Sequence, residues 1–360
     1  MKLVVLIPAH NEAARITGAL RSLRGQSRPP DTVVVISDNS VDDTVLVARS
    51  QSVQVMESVD NHEKKAGALN QALERLLPSL DDRDAVVVMD ADSVIAEDFL
   101  AVAEQQLNTD STLGAVGGVF YGDPGGGLLG QLQRNEYVRY SRDIARRRGR
   151  VMVLTGTASA IRVRALRDVA AARGTRLPGT PGKVYDTLAL TEDNELTLAL
   201  KTLGWGLTSP PSCHVTTEIM HSWRDLWRQR MRWQRGALDN LRHYGLTRVT
   251  LHYWAQQAGM AVGVIAMALY LLLTAITAVV GGWQPHPLWT AVGVVFVLER
   301  TITVWCGGWR ARALALPLAV ELAYDLFIQA VFVRCVADFL TRRPTRWHHP
   351  GEPRAGLTTG

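Results

Sequence analysis

Val86-Val87-Val88-Met89-Asp90-Ala91-Asp92 is an apolar run that ends on two carboxylates one residue apart. A brief Val-rich run reads as a buried strand, and 85–89 is one of five, with 3–7, 32–36, 53–56 and 115–120. Helical spacing fills the gaps at 13–23, 43–49 and 65–77, with Asp42 a candidate N-cap for the second. Strand–helix–strand repetition predicts an α/β fold with a doubly wound, mainly parallel sheet. Such sheets bind ligands at the carboxyl ends of their strands, near the point where strand order reverses. Pro8, Asp38 and Asp90 all fall at or just after such ends.

Asp90 and Asp92 are two apart, so in an extended segment both carboxylates address one side. Paired hard oxygens suit Mg²⁺ or Mn²⁺ beside a diphosphate. The alternative is a cap for a helix beginning near Glu97. A second acidic signal, Asp38, stands in Ser37-Asp38-Asn39-Ser40-Val41-Asp42-Asp43-Thr44, which also reads as a polar turn. Thr191-Glu192-Asp193 opens a helical pattern running to about Leu203, where a Thr cap and early acids would favour the helix dipole. Lys65, at the head of Lys65-Ala66-Gly67-Ala68-Leu69-Asn70, would bring an ammonium to a helix start, where a diphosphate could bind, or would be a solvated lysine. Gln229-Arg230-Met231-Arg232-Trp233 lies on a basic, Trp-rich stretch of two amphipathic segments, 221–232 and 234–243, just before the first long apolar run.

Taken in order, Asp38, Asp90-Ala91-Asp92, Thr191-Glu192-Asp193 and Gln229-x-x-Arg232-Trp233 resemble the D, DxD, TED and QxxRW set of membrane-attached family 2 glycosyltransferases, relatives of cellulose, chitin and hyaluronan synthases. The resemblance implies a GT-A-like domain and an inverting transfer. It implies a nucleobase contact at Asp38, with Ala9 and Glu12 of the Pro8-Ala9-His10-Asn11-Glu12 turn in the same pocket, and a diphosphate contact at Lys65. Asp92 would be the firmer ligand of Mn²⁺ or Mg²⁺, with Asp90 at the ribose or metal. Asp193 would be the general base and Glu192 an orienting neighbour. Gly156 and Thr157, in Thr155-Gly156-Thr157-Ala158-Ser159, would lie on the acceptor side. There Arg232 and Trp233 would close over the diphosphate and the acceptor sugar, supported by Gln229. The Gly- and Pro-rich 173–187 segment is expected to be a mobile loop beside the site, or a linker.

Composition bounds the rest. Of 39 basic residues only five are lysines, an arginine bias without a nucleic-acid recognition motif, so no nucleic-acid partner is expected. A net charge of +5 suits a protein resting on anionic lipid. Three cysteines in no paired spacing suggest neither a disulfide framework nor a thiolate zinc site. The 3–7 run is too short for a signal peptide, so the first domain is expected in the cytosol.

Residues 258–280 carry no formal charge and would span about 34 Å as a helix, against a ~30 Å bilayer core. A second candidate is 288–305, with 281–287 free of Lys and Arg and Arg310 and Arg312 returning to the cytosol. The third, 314–333, has Glu321, Asp325 and Gln329 on one stripe. As a span it would put Arg342, Arg343, Arg346 and Arg354 outside, against the positive-inside tendency. It either lies in the interface or buries its stripe in a bundle. The expected plan is a catalytic domain (1–215), interface helices (216–250), a membrane region of two to three spans (258–340) and an Arg-rich tail (341–360). The expected protein is an integral, multi-pass membrane enzyme with a cytosolic catalytic domain. It would transfer sugar from a nucleotide donor, UDP-linked by expectation, to a lipid-linked, glycan or protein hydroxyl, with membrane lipids as partners and a homo-oligomer left open. A processive polysaccharide synthase is the alternative, and a catalytically silent membrane scaffold a third reading.

Overall fold

A computed structural model describes residues 1–280 and 287–343. The chain runs β1 (Leu3–Ala9), α1 (Ile16–Arg24), β2 (Thr32–Ser37), α2 (Thr44–Ser50), β3 (Gln54–Glu57), α3 (Lys64–Leu76), β4 (Ala85–Met89), β5 (Val94–Ile95), α4 (Phe99–Thr109), β6 (Leu113–Gly117), β7 (Val119–Gly122) and α5 (Gly127–Arg146). It continues with β8 (Ala158–Arg162), α6 (Val163–Ala172), α7 (Glu192–Thr202), β9 (Gly206–Thr208), β10 (His214–Thr217), α8 (Trp223–Tyr244), α9 (Thr250–Val280), α10 (Pro287–Thr303), α11 (Gly308–Ala315) and α12 (Leu318–Leu340).

Seven strands form one sheet in the order β3-β2-β1-β4-β8-β6-β9. β1, β2, β3 and β4 are parallel, and β8 lies antiparallel between β4 and β6. The doubly wound, mainly parallel sheet is therefore present, and its order reverses between β1 and β4. The two-residue period divides the core cleanly. Val4, Leu6, Val86 and Val88 face α3, α6 and α7, whereas Leu3, Val5, Val87 and Met89 face α1 and α4.

A smaller sheet, β5-β10-β7, stands beside the strand ends. It corrects the predicted 115–120 strand, which is two strands in two sheets. At the junction a Cβ on Gly118 would stand 2.3 Å from Val215 Cγ2 and 3.2 Å from the Ala158 carbonyl oxygen, so only glycine lets the chain cross here. The two predicted amphipathic segments are one continuous helix, α8, because nothing at Trp233 interrupts it. The predicted cap also differs: Asp43 precedes α2, while Asp42 accepts from the Thr44 and Ala13 N–H groups and ties α2 to the turn before α1.

The C-terminal region is less simply spanning than expected. Among the described residues only α9, 31 residues long, is by itself long and apolar enough to cross a membrane, and none of its most apolar stretch is buried. The second candidate breaks: Thr290–Thr303 and Trp305–Ala315 meet the criterion only together and are bent by 53°. The third, α12, turns its stripe into the protein. Glu321 is fully buried against Asn135 and Arg139, and Asp325 pairs with Arg300. Trp223 and Trp227 of α8 pack edge-on against Phe327 of α12. A multi-pass plan is thus not supported by helix length and composition. The 281–286 connection and residues 344–360 of the tail lie outside the described residues.

Candidate active site

β1 ends at Ala9 and β2 at Ser37, and the turns beyond them form the first corner. The Asp38 N–H donates to the Ala9 carbonyl at 2.8 Å. Asp38 Oδ1 accepts from Asn61 Nδ2 (2.7 Å), Ser58 Oγ (2.8 Å) and Asn39 Nδ2 (3.1 Å). Asn11 and Asn39 adopt φ of 58° and 52°, a left-handed turn conformation that Asn tolerates. Ala9 and Asp38 therefore share this corner. The Glu12 N–H donates to Thr44 Oγ1 at 2.8 Å, beside this corner.

The Glu12 carboxyl also feels the charges of the DAD turn. Burial first, and Asp92 next, push its carboxyl up to about 7. Burial, then Asp90, then Glu218 lift Asp92 to about 6, with Ser93 Oγ donating to Asp92 Oδ1 at 3.2 Å. Glu218 directly follows β10 and pairs with Arg15 of the segment preceding α1. Neither Glu218 nor Arg15 was assigned a role from sequence; they meet across 203 residues, and no local pattern announces that. Among the described residues no three His, Cys, Asp or Glu side chains cluster closely enough to hold a metal alone. The mutual repulsion of Asp92, Asp90, Glu12 and Glu218 is nevertheless what a divalent cation relieves. The oxygen-only donor set suits Mn²⁺ or Mg²⁺, with ligand oxygens completing the shell.

Lys65 joins the two halves of the site. Its Nζ donates to Asp90 Oδ1 at 2.6 Å and lies 2.7 Å from Glu192 Oε1. Burial alone would lower this ammonium, but Asp90 and then Glu192 raise it well above the ordinary lysine value. Lys65 is therefore partly buried rather than standing open at a helix start, and it links two carboxylates.

The segment 154–157 lies between the DAD turn and the first turn of α7. The Thr157 carbonyl accepts from the Asp90 N–H (3.0 Å), and the Leu154 N–H donates to Thr197 Oγ1 (2.9 Å). Asp193 Oδ2 accepts from the Gly156 N–H at 3.1 Å, and Oδ1 from the Asn194 N–H at 2.7 Å. Burial, followed by Glu192, pushes the Asp193 carboxyl up to about 6 against the pull of Lys65. Thr191 holds the N-cap position, but its hydroxyl does not cap; Asn240 of α8 donates to it and to Asn194 Oδ1. Asp193, Lys65, Gly156 and Tyr185 line one shared pocket. A Cβ at Gly156 would stand 3.2 Å from Asp193 Oδ2. Gly156→Ala is therefore expected to displace that carboxylate and lower kcat about tenfold with an unchanged melting temperature, since the intrusion is a few tenths of an ångström. Unchanged turnover would show that the carboxylate gives way freely.

Gln229, Arg232 and Trp233 lie on α8, within the turns that precede Asn240. Arg232 is exposed; Glu192 is lowered, against its burial, by Lys65 first and only weakly by Arg232, whereas Gln229 Oε1 is buried with no partner among the described residues. Trp233 is 36 % exposed, with the Arg230 guanidinium over its ring at 4.3 Å. The 173–187 segment is not a loose loop. Arg173, buried, pairs with Glu195 of α7, and Asn70 binds the Val184 and Tyr185 backbone.

The chain resembles the Pyrobaculum calidifontis mannosyltransferase, solved in complex with GDP-Man and Mn²⁺, at a TM-score of 0.61 and 20 % identity over 95 % of this chain and 88 % of that one. That likeness shows the GT-A-like fold. In sequence it is 23 % identical over 245 residues to the poly-β-1,6-N-acetyl-D-glucosamine synthase of Staphylococcus aureus, covering 66 % of this chain and 54 % of the relative. The Staphylococcus epidermidis synthase is 24 % identical over 252 residues, again covering 66 % and 54 %. The chain thus spans about half the length of the curated relatives it matches. Residues 2–236 match the model of the family described as Glycosyltransferase like family 2, so the chain belongs to that family.

Proposed function

We propose that this enzyme is a membrane-attached, inverting glycosyltransferase that moves a sugar from a nucleotide donor to a hydroxyl of a lipid-linked, glycan or protein acceptor. Residues 1–215 would form its cytosolic catalytic domain, 216–250 the interface helices and 258–340 the membrane region. The observation that carries the reading is the placement of Asp193, held by the Gly156 N–H across the Lys65 bridge from the DAD turn.

Ala9 and Asp38 would receive the nucleobase. Asp92, with Asp90, would hold Mn²⁺ or Mg²⁺, which when bound neutralises charge on the departing diphosphate. Asp193 would take the proton of the acceptor hydroxyl as its oxygen attacks the anomeric carbon. The bond from that carbon to the diphosphate breaks on the opposite face, inverting the configuration. Arg232 offers a planar fork for phosphate oxygens, and Trp233 a face for a sugar.

The test uses the detergent-solubilised chain with a panel of UDP- and GDP-sugars, Mn²⁺ or Mg²⁺, and membrane lipid extract as acceptor, reading nucleoside diphosphate release. One donor is expected to give release that EDTA abolishes and excess Mn²⁺ restores, while Asp92→Asn stays inactive under both conditions. Release indifferent to EDTA would sink the metal assignment, and no release from any donor would sink the transfer. The resemblance to poly-N-acetylglucosamine synthases favours a processive second reading, which product length separates from single transfer.

A further inference from the structure

Arg230 precedes Trp233 by three residues on α8, so both occupy one helix face. Arg230 is 6 % exposed, and its guanidinium carbon lies 4.3 Å from the Trp233 ring centroid and 5.7 Å from that of Tyr137. Among the described residues its Nε and Nη1 have no hydrogen-bond partner. Two aromatic rings therefore attract that part of the cation. Only Nη2 meets an anion, Glu136 Oε2 of α5, at 2.8 Å. The same oxygen accepts from the Tyr324 hydroxyl of α12 at 2.6 Å. One carboxylate oxygen thus joins α5, α8 and α12, and the guanidinium it fixes covers the ring of Trp233. A buried cation with a single carboxylate partner tolerates little displacement, so movement of Tyr324 is felt at the ring.

We propose that Tyr324, Glu136 and Arg230 are positioning residues for Trp233, through which helix α12 of the apolar C-terminal region sets how the ring meets the acceptor. The acceptor half of this inference rests on the role given to Trp233 under the proposed function; the ring-positioning half does not. Cys335 of α12 also touches Met231 of α8, so the two helices meet beyond the relay as well.

Two readouts separate these halves. The full chain is labelled with 5-fluorotryptophan in detergent, and the Trp233 ¹⁹F resonance is assigned by its loss in Trp233→Phe. Tyr324→Phe, which removes one hydroxyl, and Glu136→Gln are expected to move or broaden that resonance, and Arg230→Lys to move it furthest. A Trp233 resonance unmoved in all three folded variants would overturn the proposal. In transfer assays with membrane lipid extract, Tyr324→Phe is expected to raise the apparent KM for extract about three- to tenfold, with kcat held. In the Trp233→Phe background the same substitution is expected to add nothing, since contacting residues in one network are not additive. Full additivity would overturn the relay. A Trp233→Phe enzyme with unchanged extract dependence would overturn the acceptor half and the role of Trp233 alike, leaving the fluorine shift to decide the positioning.

Discussion

Asp193→Asn is expected to lower transfer by about 10²- to 10⁴-fold while leaving donor binding intact, because the side chain keeps its shape and an oxygen to accept from the Gly156 N–H. The lost property is proton affinity. Burial and the neighbouring Glu192 place the Asp193 carboxyl at about 6, well above an ordinary aspartate. As a base it acts in the ionised form, so kcat/KM should fall as pH drops through about 6 and level off above it. In the Asn variant that limb should vanish from the residual rate. Glu12 at about 7 and Asp92 at about 6 are the rivals for such a limb. A limb that survives in Asp193→Asn and disappears in Glu12→Gln would transfer the base role away from Asp193. Initial rates of nucleoside diphosphate release across pH 5–8 at limiting acceptor are the measurement.

What was legible in the sequence was local and periodic. The run at 85–89 is β4 with the same bounds, since five buried apolar residues bounded by charge have few other uses. The DAD turn follows it because a sheet whose order reverses between β1 and β4 leaves its ligand side there. The start of α7 at Glu192 was legible from the acids of its first turn, although the Thr191 hydroxyl expected to cap it binds Asn240 instead. What could not be read were partnerships between distant residues. Arg15 and Glu218, Glu136 and Tyr324, and Asn240 and Thr191 each meet through tertiary packing that no window of sequence contains. The split of 221–243 into two helices followed the motif rather than the pattern, as the helical pattern itself runs on unbroken. The 173–187 segment misled because Gly and Pro mark turns, and turns need not be mobile. Its packing onto α7 comes from a buried arginine, whose burial no residue near it foretells.

That arginine carries the second large effect. Arg173 and Glu195 have side chains 0 % and 1 % exposed. Arg173 Nη1 reaches Glu195 Oε1 at 2.5 Å and the Pro178 carbonyl at 2.8 Å; Nη2 reaches Oε2 at 2.7 Å and the Val184 carbonyl at 2.6 Å. The Tyr244 hydroxyl adds a bond to Glu195 Oε1 at 2.5 Å, bringing in the end of α8. Either Arg173→Met or Glu195→Leu leaves one charge buried without its partner and is expected to cost about 3–5 kcal/mol, several-fold more than an exposed pair. Differential scanning fluorimetry should show a fall of roughly 6–20 °C. The double variant removes both charges together and should regain part of that loss, because no unpaired charge is then left desolvated. Turnover should not return with it. The Pro178 and Val184 carbonyls still lack their donor, and the segment that carries Tyr185 to the wall of the Asp193 pocket has lost its tie to α7. Recovery of stability without activity would make the pair an anchor for the pocket wall. Recovery of both would mean that Asn70 and apolar packing hold Tyr185 in place without it.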